Sequence, residues 1–301
     1  MTGFTLKPLD HIGREVVGLD FAHLADREVA AALYAAWLEH GVLLFREAGT
    51  SDEVHLCLSR IFGELEEYSV KEILVKDNPD LIFIGGESQK GTPKIIDGEK
   101  RAGFVYYHHD TNYTPYVPKG AVLRMAITPE RGGDTVWTDT RRAWEALPQH
   151  LKSRIEGLSA VVSSSAGIPD RRLWGWPGHT AAYGEASPDA FEFNPGAPRV
   201  EPLVTVHPET GAKALMIDPF DFVKIVGMNQ AEGDELFEEI AAHALRPEFS
   251  YRHHWAVHDM VAWDNRRTMH CAMGYPYELS RLAYRTTLAG GMAIGAWYDG
   301  A

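Results

Sequence analysis

From Ala121 onward this 301-residue chain is cut into short apolar segments by Gly and Pro, and that pattern constrains its fold more than any other feature. Ala121–Ile127 reads as a strand, Thr128–Asp134 with its Gly132-Gly133 pair as a turn, and Thr135–Thr138 as the next strand. Leu203–His207 and Ala214–Ile217 flank the turn Pro208–Gly211 and predict a hairpin, while Phe249–Trp255, Met260–Trp263 and Tyr284–Leu288 read as later strands. Most helical signals come earlier. Asp26 is placed as the N-cap of a helix through His40, with Val29, Leu33, Trp37 and Leu38 at helical spacing, and Ser51 or Asp52 caps a second helix to Phe62. Apolar runs at Gly41–Phe45 and Leu81–Ile84 read as buried strands, and Asp139 or Thr140 and Asp234 open two more helices. Many short strands beneath a few helices predict a mainly β, α+β fold with helical decoration. The natural container is a double-stranded β-helix, or jelly-roll, with one open mouth where loops meet.

No internal repeat or composition break divides the chain, so residues 1–301 are expected to form a single domain. Two segments rich in Gly and Pro, 85–103 and 166–200, are long enough to serve as lids over a site. The formal net charge of −13, with no block of Lys and Arg, argues against a nucleic-acid partner. It leaves an anionic small molecule open, because one or two buried Arg can override the surface field. The two cysteines, Cys57 and Cys271, are too few for a disulfide framework. With no leader-like N-terminus and no run of about eighteen apolar residues, a cytoplasmic location and no membrane partner are expected.

Within this frame, Tyr106-Tyr107-His108-His109-Asp110 carries the chemistry. If the stretch is a strand, His108 and Asp110 leave one face together, and His109 points away. The best third ligand is His270, after Trp263-Asp264-Asn265. Two His and one carboxylate on one face of an octahedron leave positions open for other ligands, the arrangement of non-haem Fe(II) oxygenases. The His-x-Asp pair alone is a weak pattern among 14 histidines. The combination is more specific: Thr135 follows Gly132-Gly133-Asp134, Arg281 follows His270 at eleven positions, and Arg285 stands four further on.

That set resembles the taurine dioxygenase and chlorophenoxyacetate dioxygenase family of Fe(II)- and 2-oxoglutarate-dependent dioxygenases, over roughly residues 5 to 290. The resemblance implies that His108, Asp110 and His270 bind Fe(II), and that Arg281 and Thr135 hold the distal carboxylate of 2-oxoglutarate. It further implies a C–H oxidation of a small substrate by dioxygen, with release of succinate and carbon dioxide. Because Asp110 keeps its carboxylate, oxygen insertion is favoured over halogenation. Relatives are commonly dimers or tetramers, which leaves a homo-oligomer open. In relatives with anionic substrates the residue matching Arg285 holds the anion, and two guanidiniums on one strand face call for two anionic partners. The alternative for Arg285 is an ion pair with an Asp or Glu of the chain.

The substrate side departs from the family pattern. Tyr107 stands where Trp is usual, and a second histidine, His109, fills the middle of His-x-Asp. Tyr68 falls where relatives place a residue touching substrate, and Phe220-Asp221-Phe222 where they place an aromatic wall. Asp221 there suggests a cationic or hydroxylated substrate group, or else a side chain facing solvent. A cupin-like metal protein that binds or isomerises a ligand without oxygen chemistry is the alternative function.

Overall fold

In a computed structural model the described residues are 3–66, 71–76, 78–110, 116–163, 172–185, 196–291 and 293–299. Two large sheets dominate. One has eight strands in the order Thr5–Pro8, Arg14–Val17, Val42–Phe45, Met260–Asp264, Gly120–Ile127, Leu282–Leu288, Asn78–Gly85 and Leu74–Val75. The other has six, in the order Ala181–Tyr183, Lys94–Ile96, Glu99–His108, Thr268–Pro276, Thr135–Asp139 and Ser250–His253. Earlier and later segments alternate at the centre of both sheets. Every pairing among the strands of the six-stranded sheet is antiparallel. The two sheets form the jelly-roll of an α+β protein, with the candidate site at its mouth.

Side-chain alternation explains how the central strands bury both faces. Val42, Leu44, Val261 and Trp263 point inward and meet Trp137 and Tyr251 of the six-stranded sheet. Their neighbours Leu43, Phe45, Met260 and Ala262 point outward, against Leu33, Trp37, Leu58 and Phe62 of two helices. Strands covered on both sides read as continuous apolar runs instead of alternating ones. The covering helices are Arg27–His40 and Asp52–Phe62. The first is capped by Asp26, which accepts from the Glu28 and Val29 amides, and the second by Ser51, which accepts from Val54. A third layer holds the helix Gln230–Ala244, which starts four residues before the predicted Asp234 because Asn229 caps it. It packs Leu236, Phe237 and Ile240 against Phe222 and Ile225 of a four-stranded sheet.

The segments read as lids divide differently. Residues 85–103 hold a short 3-10 helix, the strand Lys94–Ile96 and the start of Glu99–His108, so much of that segment is a hairpin of the six-stranded sheet. From 166–200, Ala181–Tyr183 adds to the edge of that sheet, while 166–171 and 186–195 lie outside the described residues. The predicted hairpin is present as Val204–Val206 against Lys213–Leu215. No helix among the described residues is long and apolar enough to cross a membrane.

Candidate active site

His108 is the last residue of Glu99–His108, and Asp110 lies beyond the strand in a turn, so simple alternation does not bring them together. A β-bulge does part of the work. His108 pairs with His270 and Val105 with Ala272, so three steps on one strand match two on the other. One extra residue at Tyr106-Tyr107 reverses the alternation and puts His108 on the face of Val105 and His270. Without it, His108 would follow Phe104 and Tyr106 into the apolar layer on the other side, where they pack with Cys271. The bulge also brings the Tyr106 carbonyl 2.7 Å from His108 Nδ1. That contact places the proton on Nδ1 and leaves Nε2 as a lone-pair donor.

Asp110 is anchored through its backbone. Its amide donates to Asn265 Oδ1 at 2.9 Å, and Asn265 Nδ2 donates back to the Asp110 carbonyl at 3.3 Å. Asp110 Oδ1 then stands 3.9 Å from His108 Nε2 and 3.8 Å from His270 Nε2. One ligand atom from each of the three residues falls within 4.8 Å of the others. Burial pushes the His270 imidazole down to about 3 and lowers His108 as well, against the pull of Asp110. Burial alone would raise the Asp110 carboxyl, but Arg285, then His270 and His108, hold it below its ordinary value. Two neutral imidazoles and one carboxylate are the donor set a divalent metal requires. Asp110 Oδ2 is buried without a hydrogen-bond partner, which leaves its lone pairs available for such a cation.

The strand begins at Leu282, so Arg281 lies just before it and Arg285 within it, and both are buried, at 8% and 9% exposure. Their surroundings differ. Arg285 Nη1 is 3.0 Å from Asp110 Oδ1, with its guanidinium 5.7 Å from the centre of the Trp263 ring. The intramolecular ion pair, the alternative to a substrate anion, is thus present. Arg281 has no carboxylate within ion-pair distance among the described residues, and its Nε is buried without a partner. Burial lowers its pKa to about 10, opposed by Tyr275 and Asp134, so it stays charged at neutral pH. It runs beside Gly133, whose φ of +79° suits glycine and where a β-carbon would stand 2.8 Å from Pro129 Cγ and 3.4 Å from Arg281 Cδ. Thr135, two residues on, is buried at the start of its strand. A buried guanidinium with no anion fits a carboxylate guest, such as the distal end of 2-oxoglutarate.

On the substrate side, Tyr68 lies outside the described residues. Phe220 stands with its ring centre 6.4 Å from that of His108, with Lys94 Nζ 5.6 Å over the ring, and it borders a narrow slot lined by Phe104, Tyr106, Leu173, Tyr183, Lys94 and Arg172. Asp221 is not solvent-facing: it is 5% exposed, and its amide donates to Asp218 Oδ1 at 3.1 Å. Asp218, Asp221 and Glu201 form a buried acidic group with Arg199. Burial, then Asp221 and Glu201, raise the Asp218 carboxyl well above its ordinary value, and burial lifts Glu201 to about 7. His109 is buried with its ring toward the Ile217 backbone, and its amide donates to Asp218 Oδ2 at 3.1 Å. Sequence reasoning assigned no role to Asn265 or Trp255. Only the position of Asn265 beside Trp263-Asp264 marked it, and Trp255 read as no more than a strand end.

A jelly-roll sandwich that gathers two imidazoles and a carboxylate at its mouth defines the class of non-haem metal oxygenases. Residues 5–287 match the family described as "Taurine catabolism dioxygenase TauD, TfdA family". The (S)-phenoxypropionate/alpha-ketoglutarate-dioxygenase of Sphingobium herbicidovorans is 32% identical over 288 residues, 95% of this chain and 95% of that protein. An alkylsulfatase of Acinetobacter baylyi is 32% identical over 287 residues, 95% of this chain and 84% of its own. The crystal structure of a taurine dioxygenase from Burkholderia xenovorans superposes with a TM-score of 0.76 at 28% identity, covering 99% of this chain and 97% of that one. The chain belongs to the TauD/TfdA family and is an Fe(II)- and 2-oxoglutarate-dependent dioxygenase.

Proposed function

We propose that this single-domain enzyme oxidises a C–H bond of a small organic anion, a carboxylate, sulfonate or amino acid, with hydroxylation as the leading outcome. His108, Asp110 and His270 would hold Fe(II), and Arg281 with Thr135 would hold the distal carboxylate of 2-oxoglutarate. The bound iron and co-substrate supply the oxidising chemistry: substrate C–H, 2-oxoglutarate and dioxygen become C–OH, succinate and carbon dioxide. The chain's own residues orient and exclude water. Arg281 fixes the co-substrate by two parallel charge-assisted hydrogen bonds. Asn265 holds the Asp110 backbone so that its carboxylate faces both imidazoles. Phe220 walls the space beside His108.

The observation that carries this reading is the buried, unpaired Arg281 beside a set of three metal-ligand side chains. An anionic substrate is supported by Arg285, which faces the same centre, and by the names of two relatives, which denote a carboxylate and a sulfate ester. Succinate released from 2-oxoglutarate by the purified enzyme should disappear in the His108→Ala and Arg281→Ala proteins. Equal release by those variants would sink the assignment. The visible charge-transfer band of Fe(II) with 2-oxoglutarate, titrated without oxygen, separates this enzyme from a cupin-like ligand binder, which would give none.

A further inference from the structure

We infer that Trp255 is a positioning residue that turns the Thr135 hydroxyl proton toward the distal carboxylate of 2-oxoglutarate. The inference rests on the reading of Thr135 given above. The indole Nε1 of Trp255 lies 3.0 Å from Thr135 Oγ1. An indole N–H donates and cannot accept, so Thr135 Oγ1 is the acceptor in this pair. The threonine proton must then leave in another direction, and among the described residues it meets no acceptor. Thr135 is buried, so an unused donor there has a cost that an incoming carboxylate oxygen removes. The neighbouring cation, Arg281, makes that oxygen's arrival favourable.

The turn that carries Trp255 is braced for such a task. His253, paired with Thr135 across the sheet, is followed within two residues by Trp255, and their rings meet edge to face with centres 4.6 Å apart. His253 is fully buried between two partners: Tyr251 Oη at 2.8 Å from Nδ1, and Asp259 Oδ2 at 3.1 Å from Nε2. The same Asp259 oxygen accepts from the Ala256 amide at 3.0 Å and from Arg46 Nη1 at 2.6 Å. The carboxylate thus ties together both ends of the turn 254–259 and the first layer of the fold. Trp255 is held by this brace and by Trp137, whose ring centre is 6.1 Å away. The indole N–H therefore has little freedom, and the orientation of one hydroxyl proton is fixed before co-substrate arrives.

The test compares two ligands on the Fe(II)-loaded protein without oxygen. 2-Oxoglutarate has the distal carboxylate, and 2-oxovalerate carries a methyl group in its place. Trp255→Phe removes the N–H and should weaken 2-oxoglutarate binding about five- to tenfold, the size of one neutral hydrogen bond, while leaving the 2-oxovalerate dissociation constant unchanged. Thr135→Val should weaken 2-oxoglutarate at least as much, and the double variant should add nothing beyond Thr135→Val. If Trp255→Phe weakens both ligands alike, Trp255 merely shapes the pocket and the inference falls. It falls too if Thr135→Val weakens 2-oxoglutarate and Trp255→Phe does not. If Thr135→Val has no effect, the error lies in the earlier reading of Thr135. Should the Phe variant fail to fold, a benzothiophene side chain at position 255, which keeps the shape and lacks the N–H, makes the same comparison.

Discussion

Arg281 and Arg285 lie four residues apart, nearly equally buried, yet among the described residues one has a carboxylate at ion-pair distance and the other has none. Asp110 offsets the charge of Arg285 through Nη1, while its Nε and Nη2 are buried without a partner. Arg281 is explained only by a guest. The difference teaches that, in the proposed reading, the co-substrate side is built with its charge waiting, whereas the substrate side shares its cation with Asp110. An anion arriving at Arg285 must compete with Asp110, and a metal ion on Asp110 weakens that competition.

The largest effect expected from this contrast is on Arg281. Arg281→Met should raise the dissociation constant of 2-oxoglutarate about 100-fold, because two hydrogen bonds to a charged group are lost. It should leave the melting temperature of the ligand-free protein unchanged or higher, since a buried unpaired cation is removed. A lower melting temperature, measured by calorimetry, would mean Arg281 has a partner after all. Arg285→Met should act in the opposite sense, destabilising the metal-free protein by about 3 kcal/mol by stranding Asp110. Added Fe(II) should restore most of that loss.

The same variant changes the pH response. With Arg285 present the Asp110 carboxyl is held below its ordinary value, so its stabilisation exists above about pH 4 and fades as pH falls. Without Arg285, burial dominates and raises that carboxyl, so its contribution is present at low pH and fades as pH rises. Thermal unfolding of the two metal-free proteins between pH 3 and 7 should therefore diverge. Parallel curves would show that Arg285 does not govern Asp110. The smallest effect concerns Asn265, which steadies what both arginines face. Asn265→Ala should cost about 1 kcal/mol in stability and about tenfold in Fe(II) affinity, read by metal titration.

The sandwich was legible because strands such as Gly120–Ile127 and Val42–Phe45 are apolar and open at or just after a glycine, and the early helices carry their own caps. Asp26, Ser51 and Gly41 are local signals. The strand Thr268–Pro276 was not read from pattern. Both of its faces are covered, and Gly274 and Pro276 imitate a turn, so neither alternation nor an apolar run marks it. The candidate site residues were visible through their spacing and the family resemblance, but their environments were not. Whether Arg285 meets Asp110 and which residue holds Thr135 both depend on contacts between segments more than a hundred residues apart. No local pattern encodes such contacts.

The extra residue at Tyr106-Tyr107 makes the direction of His108 a matter of odd and even counting. Loss of one codon there would leave every strand pairing available while turning the imidazole into the apolar layer. A lineage could thus silence its metal site in a single step without giving up the fold. The reverse insertion could recover it, with no change in any side chain that touches the metal.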